Sequence, residues 1–337
     1  MKIVSKDLAT MKSTSHPPTV SLVIPTYNRA DLIGETLASA IAQVPPFNEI
    51  IVIDDGSTDF TADLIAKIDH PIKYKKIENG GVQRARNLGA ELATSDWFVF
   101  CDSDDLLDSQ YTEVVFGYLD KLPPVDVAYV NFCNFSESGQ HPNKLSQCPF
   151  DYLAGGSTVE EVTTNIPDML IKNFHFQPLF STGMVVNRNF FFRLNGFDPE
   201  FRGVGAEDWD FTLRAIALGR VAVFKRPLAY VRRHESNDSA DSLRMLRGEL
   251  QILSAFRNRF PLQGKVLVAW RDTVNHRAAN VAHASYQLGA FEDVIHYTSW
   301  RAVWKGGIKL MIKYLISVSP PAIRLRAWQW FQRVGNK

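Results

Sequence analysis

Short apolar runs alternate with helical periods along the first third of this 337-residue chain, and that alternation leaves few folds open. Val20-Ser21-Leu22-Val23-Ile24 reads as a buried strand stopped by Pro25. A helical face of Ile33, Leu37, Ile41 and Val44 follows, and Pro45-Pro46 ends it. Glu49-Ile50-Ile51-Val52-Ile53 is a second strand, followed by a helix near residues 62–68. A third strand spans 72–77, a helix 83–92, and Trp97-Phe98-Val99-Phe100-Cys101 is a fourth strand. A helix over 109–122 and a strand over 125–132 continue the pattern. Strands alternating with helices imply right-handed crossovers and a mainly parallel, Rossmann-like α/β sheet flanked by helices. Residues 133–180 show no clear period and read as loops with one short helix. Met184-Val185-Val186 reads as a strand, 206–218 as an amphipathic helix, and the chain from Ser239 onward as helical. The expected organisation is a tail over 1–18, an α/β domain over 19–238 and a helical region over 239–337.

Ligands of such sheets bind outside the carboxyl ends of the strands. Carboxylates collect there: Asp54 and Asp55 after the second strand, Asp102, Asp104 and Asp105 after the fourth. Two carboxylates one residue apart at a strand end, as in Asp102-Ser103-Asp104, suit a hard divalent cation and a ribose. They suit a solvated, aspartate-capped turn equally. An EF-hand is excluded, because Leu107 stands where its Gly is required. Asp54-Asp55-Gly56-Ser57 is a common turn, or a carboxylate placed to accept the imide N–H of uracil.

Asn79-Gly80-Gly81 leads into a helix carrying Arg84 and Arg86, a helix start fit for phosphate or a base, or a plain basic surface. Neither Gly-x-Gly-x-x-Gly nor a Walker loop occurs, against a dinucleotide dehydrogenase or an ordinary NTPase. In Gly205-Ala206-Glu207-Asp208-Trp209-Asp210 the acids suit a helix N-terminus. The other reading is a general base beside Glu207, whose charge raises the base's pKa. His234 is a surface histidine, or a third metal ligand that reaches back to Asp104.

The order and spacing of these segments, with Pro25-Thr26-Tyr27-Asn28-Arg29, Ala85-Arg86-Asn87-Leu88-Gly89 and Gly196-Phe197-Asp198, resemble family 2 glycosyltransferases of the GT-A fold over residues 19–238. The resemblance implies that Pro25, Tyr27 and Asp55 line a nucleobase pocket, with Arg86 near the base and diphosphate. It implies Asp102 on the ribose, Asp104 on Mn²⁺ or Mg²⁺ with His234 as a further ligand, and Asp208 as the base. Glu207 and Trp209 would serve the acceptor or support the base. The implied reaction is inverting transfer from a nucleotide-diphosphate sugar, UDP-sugars foremost, to a saccharide or lipid-linked saccharide. Cell-envelope or exopolysaccharide synthesis is the implied setting. Gln-x-x-Arg-Trp, the processive-synthase motif, is absent. Two other readings remain: a sugar-nucleotide pyrophosphorylase, which needs a Gly-rich loop where Pro25-Thr26-Tyr27-Asn28 stands, and a non-catalytic saccharide-binding scaffold.

Composition is that of an ordinary globular protein. Three cysteines form no disulfide framework and point to a reducing compartment. The polar first 18 residues carry no signal-peptide core, so a cytoplasmic location is expected. No nucleic-acid partner is expected. Charge is uneven: 37 basic and 36 acidic residues in all, yet residues 294–337 hold eight Lys or Arg and no carboxylate. Arg301, Lys305, Lys309 and Lys313 repeat every four residues, beside Trp300, Trp304, Ile308 and Ile312. Four of the seven tryptophans lie in this tail. Adjacent basic and apolar stripes fit a helix on the anionic inner face of the cytoplasmic membrane, contacted through residues 300–333. They fit equally an apolar stripe packed on protein. Residues 282–304 resemble one tetratricopeptide-type helical hairpin.

Overall fold

The structure, a computed structural model, describes residues 18–119, 121, 124–234, 241–298 and 307–335. The chain opens with β1 (Val20–Thr26), α1 (Ile33–Ile41), β2 (Glu49–Asp54), α2 (Thr61–Ile65), β3 (Ile72–Lys76), α3 (Val82–Leu92) and β4 (Trp97–Phe100). Next come β5 (Leu106–Leu107), α4 (Tyr111–Leu119), β6 (Val127–Ser136), β7 (Gly139–Asn143), β8 (Ser157–Val159) and β9 (Val162–Thr164). Then follow α5 (Met169–His175), β10 (Val185–Asn187), α6 (Arg188–Arg193), α7 (Glu207–Leu218) and β11 (Val221–Arg232). Among the described residues five helices complete it: α8 (Ser242–Arg259), α9 (Gly264–Gln287), α10 (Phe291–Tyr297), α11 (Gly307–Val318) and α12 (Pro321–Gly335).

The main path of the sheet runs β3-β2-β1-β4-β10-β6-β11-β9-β8, with β5 on β11 and β7 on β6. β3, β2, β1 and β4 are parallel. β10 lies antiparallel between β4 and β6, and β11 is parallel to β6. The continuous apolar runs follow from burial on both faces. Leu22, Ile24, Ile50, Val52 and Val99 point to one core with α1 and α4. Val23, Ile51, Ile53, Phe98 and Phe100 point to the other, with α3, α6 and α7. From β1 the chain builds β2 and β3 on one side, then crosses to place β4 on the other. The crevice where these connections diverge, at the carboxyl ends of β1 and β4, is where such sheets bind ligands.

Residues 133–180 depart from the loop reading: β6 runs on to Ser136, and β7, β8, β9 and α5 follow. β11 had no counterpart in the sequence reading. Lys225-Arg226-Pro227 interrupts its apolar pattern, and its pairing with β6 shifts register on both sides of Pro227.

α8 and α9 share a core with α5 and α7, in which Phe174, Trp209, Leu213, Ile252, Leu253 and Phe256 meet. The helices after residue 240 therefore brace the sheet-bearing part. A smaller core joins the end of α9 to α10, α11 and α12 through Tyr286, Val294, Leu310 and Trp328. Among the described residues no helix is long and apolar enough to cross a membrane. Trp300, Arg301, Trp304 and Lys305, the start of the tail's double stripe, lie outside the described residues, as do residues 1–17.

Gly89 lets α3 lie against β1. A Cβ added there would stand 2.3 Å from Val23 Cγ1, a fully buried side chain. Gly89→Ala improves helix propensity by about 1 kcal/mol, but overpacking a core costs about 1–3 kcal/mol. Denaturant unfolding should show a net loss of stability that Val23→Ala, in the same chain, partly restores. A more stable single variant would sink this account of the α3–β1 contact.

Candidate functional site

The crevice opens into a cavity of about 640 Å³. Pro25 and Tyr27 from the end of β1, Asp55 from β2 and Asp102 and Asp104 from β4 line it, with Arg86 from α3. Its far wall is the loop from Arg202 to Ala206 with Glu207 and Asp208, and Arg233 and Arg244 stand at the rim.

The chemically similar carboxylates have different tasks here. Asp54 is fully buried and accepts from Ser57 N–H (2.6 Å) and Tyr74 O–H (2.6 Å), so it ties the turn. Asp55 accepts from Gly80 N–H and Gly81 N–H, both at 2.7 Å, one on each oxygen. It thereby holds the Gly-Gly loop at the start of α3. A carboxylate oxygen takes two hydrogen bonds, so Asp55 keeps acceptor capacity toward the cavity. Asp105 accepts from Thr182 O–H (2.6 Å) and Arg232 N–H (2.9 Å), tying β4's end to β11. Burial, then the charges of Asp102 and Asp104, push Asp105 well above the usual carboxylate range.

Arg86 is 3 % exposed. Its Nη2 donates to Asp102 at 2.5 Å and to Ser181 Oγ at 3.2 Å, and the guanidinium lies 5.0 Å from the centre of the Phe197 ring. Burial opposes its charge, but Asp102, then Glu207 and Asp208, more than offset this and raise its pKa. Its Nε and Nη1 are buried and make no hydrogen bond. Buried N–H groups are rarely left so, and the residue itself lines the cavity. The wall behind is anchored by Asn87, which donates to Phe197 C=O (2.7 Å) and accepts from Phe197 N–H (2.8 Å).

Asp104 and His234 approach from opposite directions, Oδ2 to Nε2 3.1 Å, and Arg29 Nε stands 3.5 Å from the same oxygen. Among the described residues no three His, Cys, Asp or Glu side chains form a metal cage. Magnesium-type sites need only one or two protein ligands, with water and phosphate oxygens supplying the rest. Asp104 supplies one carboxylate of that donor set, and His234 stands beside it with an imidazole nitrogen.

Asp208 is half-buried at the N-terminus of α7. Burial, then the charge of Glu207, pushes its carboxyl up to about 7, while Arg86 opposes the shift. The approach to it is strained. Ala206 caps α7 at φ 55°, a left-handed conformation, and Gly205 precedes it at φ 84°. Non-glycine residues in that region cost of order 1–2 kcal/mol. The loop is pressed from outside by α8, where a Cβ on Gly248 would stand 2.4 Å from Val204 C=O and 2.5 Å from Gly205 C=O.

The fold thus brings Pro25, Tyr27, Asp55, Arg86, Asp102, Asp104, Glu207 and Asp208 into one cavity, with His234 against Asp104. Trp209 does not join them. It is 2 % exposed in the α7–α8 core, donates to Asn173 Oδ1 at 2.7 Å and carries Arg277 over its ring. Its packing there supports α7. Arg202, Gln83 and Arg244 also line the cavity and escaped the sequence reading. Only Gln83 carried a signal, one residue past the Gly-Gly helix start.

A mixed, mostly parallel sheet with a crevice at its switch point and an acidic pair on its lip is the GT-A arrangement. The family model "Glycosyl transferase family 2" matches residues 21–187, and "N-terminal domain of galactosyltransferase" matches 167–235. Two validoxylamine A glucosyltransferases of Streptomyces hygroscopicus, subsp. jinggangensis and limoneus, are each 28 % identical over 253 residues, 68 % of this chain. The chain spans 60 % and 55 % of their lengths. A crystal structure of S. aureus TarS in complex with UDP-GlcNAc has the same fold, with a TM-score of 0.56 and 19 % identity over 89 % of this chain and 79 % of that one. Residues 21–187 thus carry a glycosyltransferase family 2 domain.

The Asp208 environment makes a prediction of its own. Its folded value of about 7 stands above the ordinary 3.8, so the folded state holds this proton longer than the unfolded chain does. That contribution to stability is complete below about pH 4 and is lost as pH rises through about 7. Asp208→Asn cannot ionise. Without donor or metal, its melting temperature should equal the parent's near pH 4 and exceed it by a few degrees at pH 8. A gap that does not grow with pH would refute the raised pKa.

Proposed function

We propose that residues 19–238 transfer a sugar, with inversion, from a nucleotide-diphosphate donor to a hydroxyl of a saccharide or lipid-linked saccharide. The observation that carries this reading is one cavity lined by both the Arg86 guanidinium and Asp208, the carboxyl poised near 7. An anion at Arg86 and a proton acceptor across from it are what displacement of a diphosphate by a hydroxyl requires.

In this reading the base lies between Pro25 and Tyr27 and meets the spare acceptor capacity of Asp55. An imide N–H between two carbonyls, as in uracil, matches that acceptor, and UDP-GlcNAc is the ligand in the TarS crystal. Asp102 holds the ribose hydroxyls, and Arg86 the diphosphate. Mn²⁺ or Mg²⁺, when bound by Asp104 and His234, would offset charge on the leaving diphosphate. Asp208 takes the proton from the acceptor hydroxyl as its oxygen attacks the anomeric carbon. The bond from that carbon to the diphosphate oxygen breaks on the opposite face, and the diphosphate leaves with the electron pair. One displacement inverts the centre, and no covalent enzyme intermediate is needed. Glu207 raises the Asp208 pKa toward the working range.

A thermal-shift screen of nucleotide sugars with Mn²⁺ identifies the donor. With that donor, Asp208→Asn should lower kcat by about 10²–10⁴-fold and leave donor affinity nearly unchanged. Normal turnover would refute the base. Asp104→Ala should weaken donor binding in Mn²⁺ and leave metal-free binding unaltered. The acidic limb of kcat/KM should fall near pH 7. Glu207→Gln removes a like charge from beside Asp208, so the limb should move to lower pH, and a limb that stays or rises would overturn the pairing.

A further inference from the structure

Beyond the cavity, the unexplained feature of the molecule is the terminal helical pair. α11 is built inside out. Leu310 and Ser317 are fully buried against the end of α9, with Lys313 beside them donating to His283 Nδ1 (2.8 Å) under the Tyr286 ring. The opposite face carries Ile308, Met311, Ile312, Leu315 and Val318, which fall within one arc at 100° per residue. Ile308, Leu315 and Val318 are 70 %, 53 % and 46 % exposed. After the Pro320-Pro321 break, α12 anchors itself through Trp328, whose Nε1 donates to Tyr286 C=O at 2.7 Å. Its outer side leaves Ile323 and Trp330 more than half exposed, with Arg326 between them. A water-soluble helix buries its apolar stripe. Here the stripe is turned out, and the polar Ser317 and Lys313 are turned in.

We propose that the outer face of α11 and α12 docks on an anionic lipid bilayer surface. Charge selects this occupant. Residues 294–337 hold eight Lys or Arg and no carboxylate. Lys309 flanks the α11 stripe, Arg326 lies between Ile323 and Trp330, and both are exposed. A second copy of this face would bring like charges together with no acid to pair them. Anionic headgroups supply the missing charge, and the acyl boundary accepts the apolar side chains. Twelve residues make a helix about 18 Å long, too short to span a hydrocarbon core of about 30 Å, so α11 lies in the plane of the interface. The docking does not depend on the reading of the cavity, and vesicle binding is measured without donor or acceptor.

The test is co-sedimentation of the full chain with phosphatidylglycerol–phosphatidylcholine vesicles and with phosphatidylcholine alone. Binding is expected to the anionic vesicles, weakened by salt, and to be much poorer on the neutral ones. The double variant Ile308→Asp/Leu315→Asp alters two exposed side chains and should keep the parent melting temperature. It should lose about tenfold or more in vesicle affinity, since each side chain gives up an apolar transfer of about 1–2 kcal/mol. Absence of anionic-vesicle binding, or binding unchanged in the variant, would overturn the proposal. So would parent dimerisation in light scattering that the variant abolishes while neither chain binds vesicles. A variant that misfolds is replaced by Trp330→Ser/Ile323→Ser, judged by the same outcomes.

Discussion

Arg86 is held at 3 % exposure among acids and one aromatic face, and much of the cavity's geometry follows from accommodating it. A buried guanidinium is tolerated only where its charge is answered and its donors are met. Asp102 answers the charge from the end of β4, Ser181 meets one donor from the segment before β10, and Phe197 lies under the plane. Phe197 is itself fixed twice, by the two hydrogen bonds to Asn87 and by stacking on Phe211 of α7 at 4.7 Å. One side chain therefore ties α3, β4, the approach to β10 and α7 together. The remaining donors, Nε and Nη1, have no partner among the described residues.

The same ties set what each acid does. Asp105 is buried and bonded at both oxygens, so the fold uses it as a clamp. Asp210, 1 % exposed beneath the cavity wall, is neutralised by Arg214 and Arg259, and Arg259 also pairs with Asp198. Arg214 goes on to donate to Leu194 C=O and Gly196 C=O, which fixes the turn that presents Phe197. Asp208, two residues before Asp210, has Glu207 beside it and Arg86 as its opposing charge. Identical chemistry two positions apart gives one acid locked in an ion pair and one poised near 7. The strained Gly205-Ala206 turn, held down by α8 over Gly248, keeps the second in place.

The parallel half of the sheet was legible because each strand is buried on both faces and reads as an unbroken apolar run. The acids at its carboxyl ends were legible for the same reason, since a strand end is where such a run stops. The other half was not. β10 contributes three residues, too few to show a period, and its antiparallel placement between β4 and β6 is a long-range fact. β11 hides behind Lys225-Arg226-Pro227, which it absorbs as irregular register against β6. β8 and β9 are three-residue strands. Of the two parts open to Trp209, acceptor contact or support, its packing favours support: one residue along a helix is a turn of 100°, which carries it from the Asp208 side into the α7–α8 core.

The tail shows the complementary limit. Spacing of four along a helix defines a stripe but not the side on which the protein lies, so the apolar residues of 308–318 were consistent with a core or with a surface. What decides is the minority of small or polar positions. Leu310, Ser317 and Lys313 fit against Tyr286 and His283 because α9 ends there, and once they face inward the helix has no freedom to bury Ile308, Leu315 and Val318 as well. The outward stripe is thus a consequence of where α9 and α10 stop. A chain that leaves such a face uncovered and then places no carboxylate within 44 residues has a surface suited to a partner that is both apolar and anionic. A bilayer interface offers the two together.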